Sequence, residues 1–156
     1  MEKQRFDYSK KTPEAIKGLM EMEKYVAESG LDRTIYELVK YRASQINGCV
    51  YCMDMHTKDA RAAGETEQRL YVLSGWKEAP FYTERERAAL AWTEALTLIS
   101  ENDIPESLYN LVHQHFDEKQ LMALTIAIIA INGWNRLSIP FKTPAGSYVP
   151  GKWDKK

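Results

Sequence analysis

The chain predicts an all-α fold on three observations. No segment sustains the alternation of apolar and polar residues that a half-buried strand requires. Apolar residues recur instead at three- and four-residue intervals through most of the 156 residues. Helix start and stop signals then divide the chain into about six to seven helices. A chain of this length, 44% hydrophobic and 28% charged, suits one domain with a sizeable core. No internal repeat or low-complexity stretch divides it. Residues 1–156 therefore read as a single domain, with a core over about 12–138 and an extended tail over 139–156.

The elements follow in order. Thr12-Pro13 starts a first helix, with proline at a position that needs no amide hydrogen, and Gly30 stops it. Asp32 caps a second helix that carries Ile35, Leu38, Val39 and Ile46 on one face, and Asn47-Gly48 breaks it. A third helix begins at the cysteines and runs to Ala63, with Gly64 as its stop. A fourth runs from about Thr66 to Ser74 and ends at Gly75. Thr83 and Glu86 form a capping box that opens a helix with Ala89, Trp92, Leu96 and Ile99 at helical spacing. Pro105 starts a short helix ending near His115. Asp117 and Gln120 repeat the box and open the most apolar helix, residues 121–137. It is apolar on nearly all sides, which predicts a central position or a subunit contact. Asn132-Gly133 within it suggests close helix packing, and the prolines and glycines after Ile139 predict the extended tail.

Charge excludes several classes of function. With 21 basic and 22 acidic residues, nothing points to nucleic acid or an anionic membrane. The longest apolar run, residues 121–131, is too short to span a bilayer. The first residues carry no apolar signal segment, so the expected compartment is the cytoplasm. In a reducing compartment a pair of nearby cysteines is seldom a static disulfide.

Cys49 and Cys52 are the only cysteines, and they are three residues apart. Such a dithiol either cycles between thiol and disulfide or supplies part of a metal site. Cys49, Cys52 and His56 fall on one face of the third helix. If Asn47-Gly48 folds helices two and three into a hairpin, Glu37 and His56 stand at the same height, roughly 14 Å from the turn. A carboxylate, an imidazole and two thiols then converge. His56 is placed to take a thiol proton, Glu37 to orient the imidazole, and Cys49 to close a disulfide on an oxidised Cys52. The helix dipole favours Cys49 as the more acidic thiol, since it opens the helix.

The pattern Glu37, Cys49, Cys52, His56, with Ser44-Gln45-Ile46-Asn47-Gly48 before the cysteines and Thr57-Lys58-Asp59-Ala60-Arg61 after them, resembles the alkylhydroperoxidase D-like (AhpD-like) branch of the carboxymuconolactone decarboxylase family. Residues 83–92 and 131–137 resemble the same group, so the likeness spans about 30–140. The resemblance implies an all-α fold around a helical hairpin carrying the cysteines, assembled as a trimer or hexamer. It implies a thiol-dependent hydroperoxide reductase. Cys52 would be peroxidatic, Cys49 resolving, and Glu37 with His56 the proton relay. No cofactor would be needed, and a thiol or a lipoylated protein would be the reductant. The best-known members carry histidine immediately before the second cysteine. Here Tyr51 stands there, a hydrogen-bond donor but a poor base, and its expected role is accessory.

Other readings stay open at this stage. The cysteines could be two small buried hydrophobes. Cys49, Cys52, His56 and Glu37 could hold zinc, although no second dithiol or paired histidine accompanies them. His113 and His115, two apart, point to different sides of a helix. A lactone-cleaving lyase and a non-enzymatic redox partner protein are the functional rivals.

Overall fold

A computed structural model describes residues 3–152, and among these the only regular structure is helical. The α-helices are α1 (Tyr8–Lys11), α2 (Lys17–Glu28), α3 (Arg33–Asn47), α4 (Val50–Ala62), α5 (Glu67–Tyr71), α6 (Glu84–Thr97), α7 (Glu106–His113) and α8 (Glu118–Ser138). Short 3-10 turns cover Pro13–Ile16 and Leu73–Gly75.

α3 is the axis of the molecule. It packs against α4, α6 and α8, and three apolar clusters radiate from it. Ile35 and Val39 meet α6 and α8, Leu38 meets Ala60 and Trp76, and Ala43 meets Cys49, Cys52 and Ile131. Truncation of so fully buried a side chain as Leu38 would cost about 2–5 kcal/mol.

The α3–α4 hairpin follows from local chemistry. Asp32 caps α3 by accepting from the Ile35 amide at 3.1 Å. Gly48 ends it at φ 71°, a left-handed conformation that suits glycine. The amides of Gly48 and Cys49 then return to the carbonyls of Gln45 and Ser44, and the chain reverses into α4. Both expected capping boxes form, at Thr83–Glu86 and Asp117–Gln120.

Several elements differ from their sequence expectation. Pro13 does open a helical segment as expected, but as a 3-10 turn with Thr12 at its N-cap position and no side-chain cap. Thr12 also closes α1, a short turn capped by Asp7, and its hydroxyl returns to the Tyr8 carbonyl at 3.2 Å. α2 then starts only at Lys17. The fourth helix divides into α5 and a 3-10 turn. Ile99 lies beyond the end of α6 and is 60% exposed, so it does not share the buried face of Ala89 and Trp92. Ile46 is only half-buried.

α8 runs unbroken through Gly133, where a Cβ would come within 2.7 Å of Leu19 Cδ2. The glycine lets α2 lie close on α8. By length and mean hydropathy of 1.2 the whole of α8 could cross a membrane, a possibility the shorter apolar run does not reveal. Half of that apolar window is buried inside the protein. The tail after Ser138 has no regular structure through residue 152, and its last four residues lie outside the described ones. It is not a loose extension, because Tyr148 is buried.

Candidate active site

The two halves of the α3–α4 hairpin supply the chemistry. Glu37, seven-tenths of the way back along α3 from the turn, faces His56 on α4. Glu37 Oε2 and His56 Nδ1 lie 2.8 Å apart, and both side chains are almost wholly buried. Glu37 Oε1 is 2.8 Å from Arg33 Nη2, so the carboxylate has a fixed countercharge. With Nδ1 committed to Glu37, the remaining nitrogen, Nε2, is buried and has no hydrogen-bond partner among the described residues. It is the ring's one open valence.

Cys49 sits at the N-cap of α4 rather than inside its first turn, with extended backbone at φ −83° and ψ 92°. Cys52 is one turn on and His56 one turn further. The cysteines are free thiols, each 1% exposed, with sulfurs 2.8 Å apart in hydrogen-bond contact. A disulfide needs a separation of about 2.0 Å, so oxidation requires less than about an ångström of sulfur movement.

The hydrogen bond with Cys52 pulls the Cys49 thiol below its ordinary value. The same bond, together with burial, pushes Cys52 up. Asn135 and Ser138 of α8 also hydrogen-bond to the pair and favour its charged form. Cys49 is therefore the more acidic thiol of the pair, in the direction that the helix dipole favours. Tyr51 packs beside the cysteines with Trp134.

On the far side of Tyr36 lies a second buried ion cluster. Lys40, 1% exposed, forms an ion pair with Glu23 of α2. The Tyr36 hydroxyl donates to Glu23 Oε2 at 2.8 Å and Trp134 Nε1 to Oε1 at 2.9 Å. Burial alone would raise the Glu23 carboxyl, but the Lys40 charge and these hydrogen bonds hold it below its ordinary value. The Tyr36 ring stands between the clusters, 4.3 Å from Lys40 Nζ and edge-on to His56 at 6.4 Å between centroids.

Asp59, three residues beyond His56, is a further neighbour that the motif reading missed. Among the described residues, Glu37, His56 and Asp59 each place a ligand atom within 4.8 Å of the others. Neither sulfur belongs to this trio, so it is not the cysteine zinc set considered from sequence. A cavity of about 10 Å³, room for roughly one water, touches the relay on its Glu37 side, lined by Arg33, Thr34, Glu37, Ala60, Ala63 and Glu65. It does not lie over the sulfurs. His113 is exposed and His115 half-buried, both on or just after α7 rather than on the hairpin.

Comparison with known proteins gives the family. Residues 13–95 match the carboxymuconolactone decarboxylase family, and the chain belongs to that family. An uncharacterised protein of Bacillus subtilis, YdfG, is 49% identical over 92% of this chain and 98% of its own length. A crystal structure from Agrobacterium tumefaciens superposes with a TM-score of 0.89 at 42% identity, covering 94% of this chain and all of that one. That protein is of unknown function and provisionally assigned as the antioxidant defence protein AhpD. The debrominase Bmp8 shares the fold at 17% identity and a TM-score of 0.76, over 88% of this chain and 74% of its own. The likeness to the AhpD-type structure supports the AhpD-like branch of the family.

Proposed function

We propose that the chain is a thiol-dependent hydroperoxide reductase. The observation that carries this reading is the buried Glu37–His56 pair, whose open Nε2 shares a helical face with a hydrogen-bonded dithiol. His56 takes the proton of Cys52 at Nε2, and Glu37 and Arg33 hold the ring for that transfer. The Cys52 thiolate attacks the outer oxygen of a hydroperoxide and the O–O bond breaks. The alkoxide leaves as the alcohol with the proton held on His56, and Cys52 becomes a sulfenic acid. The Cys49 sulfur then attacks the Cys52 sulfur, the S–O bond breaks, and one water leaves with formation of the disulfide. One hydroperoxide and two thiols thus give one alcohol, one water and one disulfide. An external dithiol, such as a lipoyl group, reopens the pair by exchange. Because both sulfurs are buried, peroxide and reductant reach them only when the surrounding side chains move. A homo-oligomer in a reducing cytoplasm is the setting that suits this cycle. No cofactor takes part in it.

Mass spectrometry of thiol-blocked protein, before and after one equivalent of cumene hydroperoxide, tests the reading. The wild type is expected to lose two hydrogens, and Cys49→Ser to retain a trappable sulfenate on Cys52. A sulfenate trapped instead in Cys52→Ser would make Cys49 the attacking residue. Turnover that survives in both single variants would overturn the mechanism. Lactone cleavage by the double cysteine variant would move the protein to the lyase reading.

A further inference from the structure

The described part of the tail beyond α8 returns along α4 and brings Tyr148 and Gly151 against Asp59. The Gly146 amide donates to Asp54 Oδ2 at 2.9 Å, and Lys58 Nζ donates to the carbonyls of Gly146 and Tyr148 at 3.1 and 3.2 Å. Tyr148 is 6% exposed, and its hydroxyl lies 2.9 Å from both oxygens of Asp59. The Gly151 amide adds a longer bond to Asp59 Oδ1. The tail therefore places a phenol on Asp59, and Asp59 has a carboxylate oxygen within 4.8 Å of both Glu37 and His56.

Asp59 also shares the helical stripe of the proposed catalytic residues. Cys52, His56 and Asp59 stand at i, i+4 and i+7 on α4. By helical rise, Asp59 is roughly 10 Å along the axis from Cys52, with His56 between them. A negative charge in that place acts on the imidazole more than on the sulfur.

We propose that Asp59, held by Tyr148 of the tail, is a second positioning carboxylate of the relay that stabilises the imidazolium formed when His56 accepts the thiol proton. This rests on the relay reading given above. Glu37 is itself ion-paired with Arg33 through Oε1. A second carboxylate restores net negative charge around the ring. Among the described residues, the other charged and titratable groups around this centre include Arg33, Tyr36 and Glu37 of α3, Asp54 and Lys58 of α4, Glu65 beyond α4, and Glu23 and Lys40 across Tyr36. Glu23 and Lys40 neutralise each other. Burial and the nearby Glu37 charge push the Asp59 carboxyl up, and the Tyr148 hydrogen bond opposes that rise, so the tail helps to keep Asp59 charged.

The test is the pH profile of dithiol alkylation by iodoacetamide in the full, reduced chain, which needs no peroxidase activity. Asp59→Asn is expected to move the midpoint of thiol reactivity up by about half a pH unit or more. Asp59→Glu, which keeps the charge, is expected to restore it. Tyr148→Phe also keeps the charge, so its profile should stay near wild type while limited proteolysis of the tail accelerates. An Asp59→Asn profile that overlays wild type would overturn the proposal. So would a Tyr148→Phe shift equal to that of Asp59→Asn, because Asp59 would then act only by docking the tail. A peroxide-inactive wild type with the predicted alkylation shifts would refute the peroxidase reading and leave the role of Asp59 standing.

Discussion

Two buried ion clusters flank Tyr36, and they differ in one respect. Around Glu23, Lys40 is spent on the carboxylate, as are the Tyr36 hydroxyl and the Trp134 indole. Around Glu37, the His56 ring keeps Nε2 without a partner among the described residues. A closed cluster of this kind ties helices together. An open one retains a site that can accept a proton. The same helix, α3, supplies Lys40 to one and Glu37 to the other, and the Tyr36 ring stands between them.

Breaking the open cluster should change chemistry more than stability. His56→Gln and Glu37→Gln should each slow peroxide oxidation of the dithiol by about 10²–10⁴-fold, the usual worth of a positioned base. Thermal denaturation run beside the kinetics checks that the fold is retained. Breaking the closed cluster should do the reverse. Lys40→Met leaves Glu23, whose side chain is mostly buried, without its countercharge and should cost about 1–3 kcal/mol in urea unfolding. Adding Glu23→Gln should recover much of that loss, and dithiol reactivity in the double variant should stay near wild type.

Acid sharpens the comparison further. The folded Glu23 carboxyl is held below its ordinary value of 4.5, so the native state binds fewer protons there than the unfolded chain. Its stabilising contribution is complete above about pH 4.5 and is lost as pH falls through the folded value. Urea midpoints measured from pH 3 to 7 should therefore drop at the acid end, and the drop should flatten in the Glu23→Gln, Lys40→Met double variant. The smallest effect belongs to the ground on which both clusters stand. Gly133→Ala must push aside the flexible end of Leu19, and its cost is expected at about 1 kcal/mol, read as a modest fall in melting temperature.

The open cluster was legible in the sequence because it obeys local periodicity. Asn47-Gly48 marks the reversal, the cysteines and His56 keep one face of α4, and counting residues from the turn brings Glu37 level with His56. The closed cluster was not legible. Glu23 and Lys40 are 17 residues apart on different helices, and a lysine in an amphipathic helix ordinarily reads as solvated. Tyr148 was lost for a similar reason, because its contact with Asp59 spans 89 residues and a Pro- and Gly-rich tail carries no period. Asp59 itself could have been found. It continues the stripe of Cys52 and His56 by one turn, but a surface helix with the sequence Lys58-Asp59 reads first as an exposed charged face. The dipole argument for Cys49 agrees with the direction of its hydrogen bond to Cys52, and the family likeness assigns the attack to Cys52. Those statements concern different moments, the resting pair and the pair after proton transfer to His56.

Stopped-flow tryptophan fluorescence, with Trp134 packed against the cysteine cluster as the reporter nearest the sulfurs, follows the dithiol oxidation that depends on that transfer. Reduced wild type and His56→Gln would be mixed with cumene hydroperoxide at the same pH, with free cysteine as the reference. The open relay predicts that wild type reacts far faster than free cysteine and that His56→Gln loses about 10²-fold or more. Equal rates for the two proteins, or a wild type no faster than free cysteine, would contradict it.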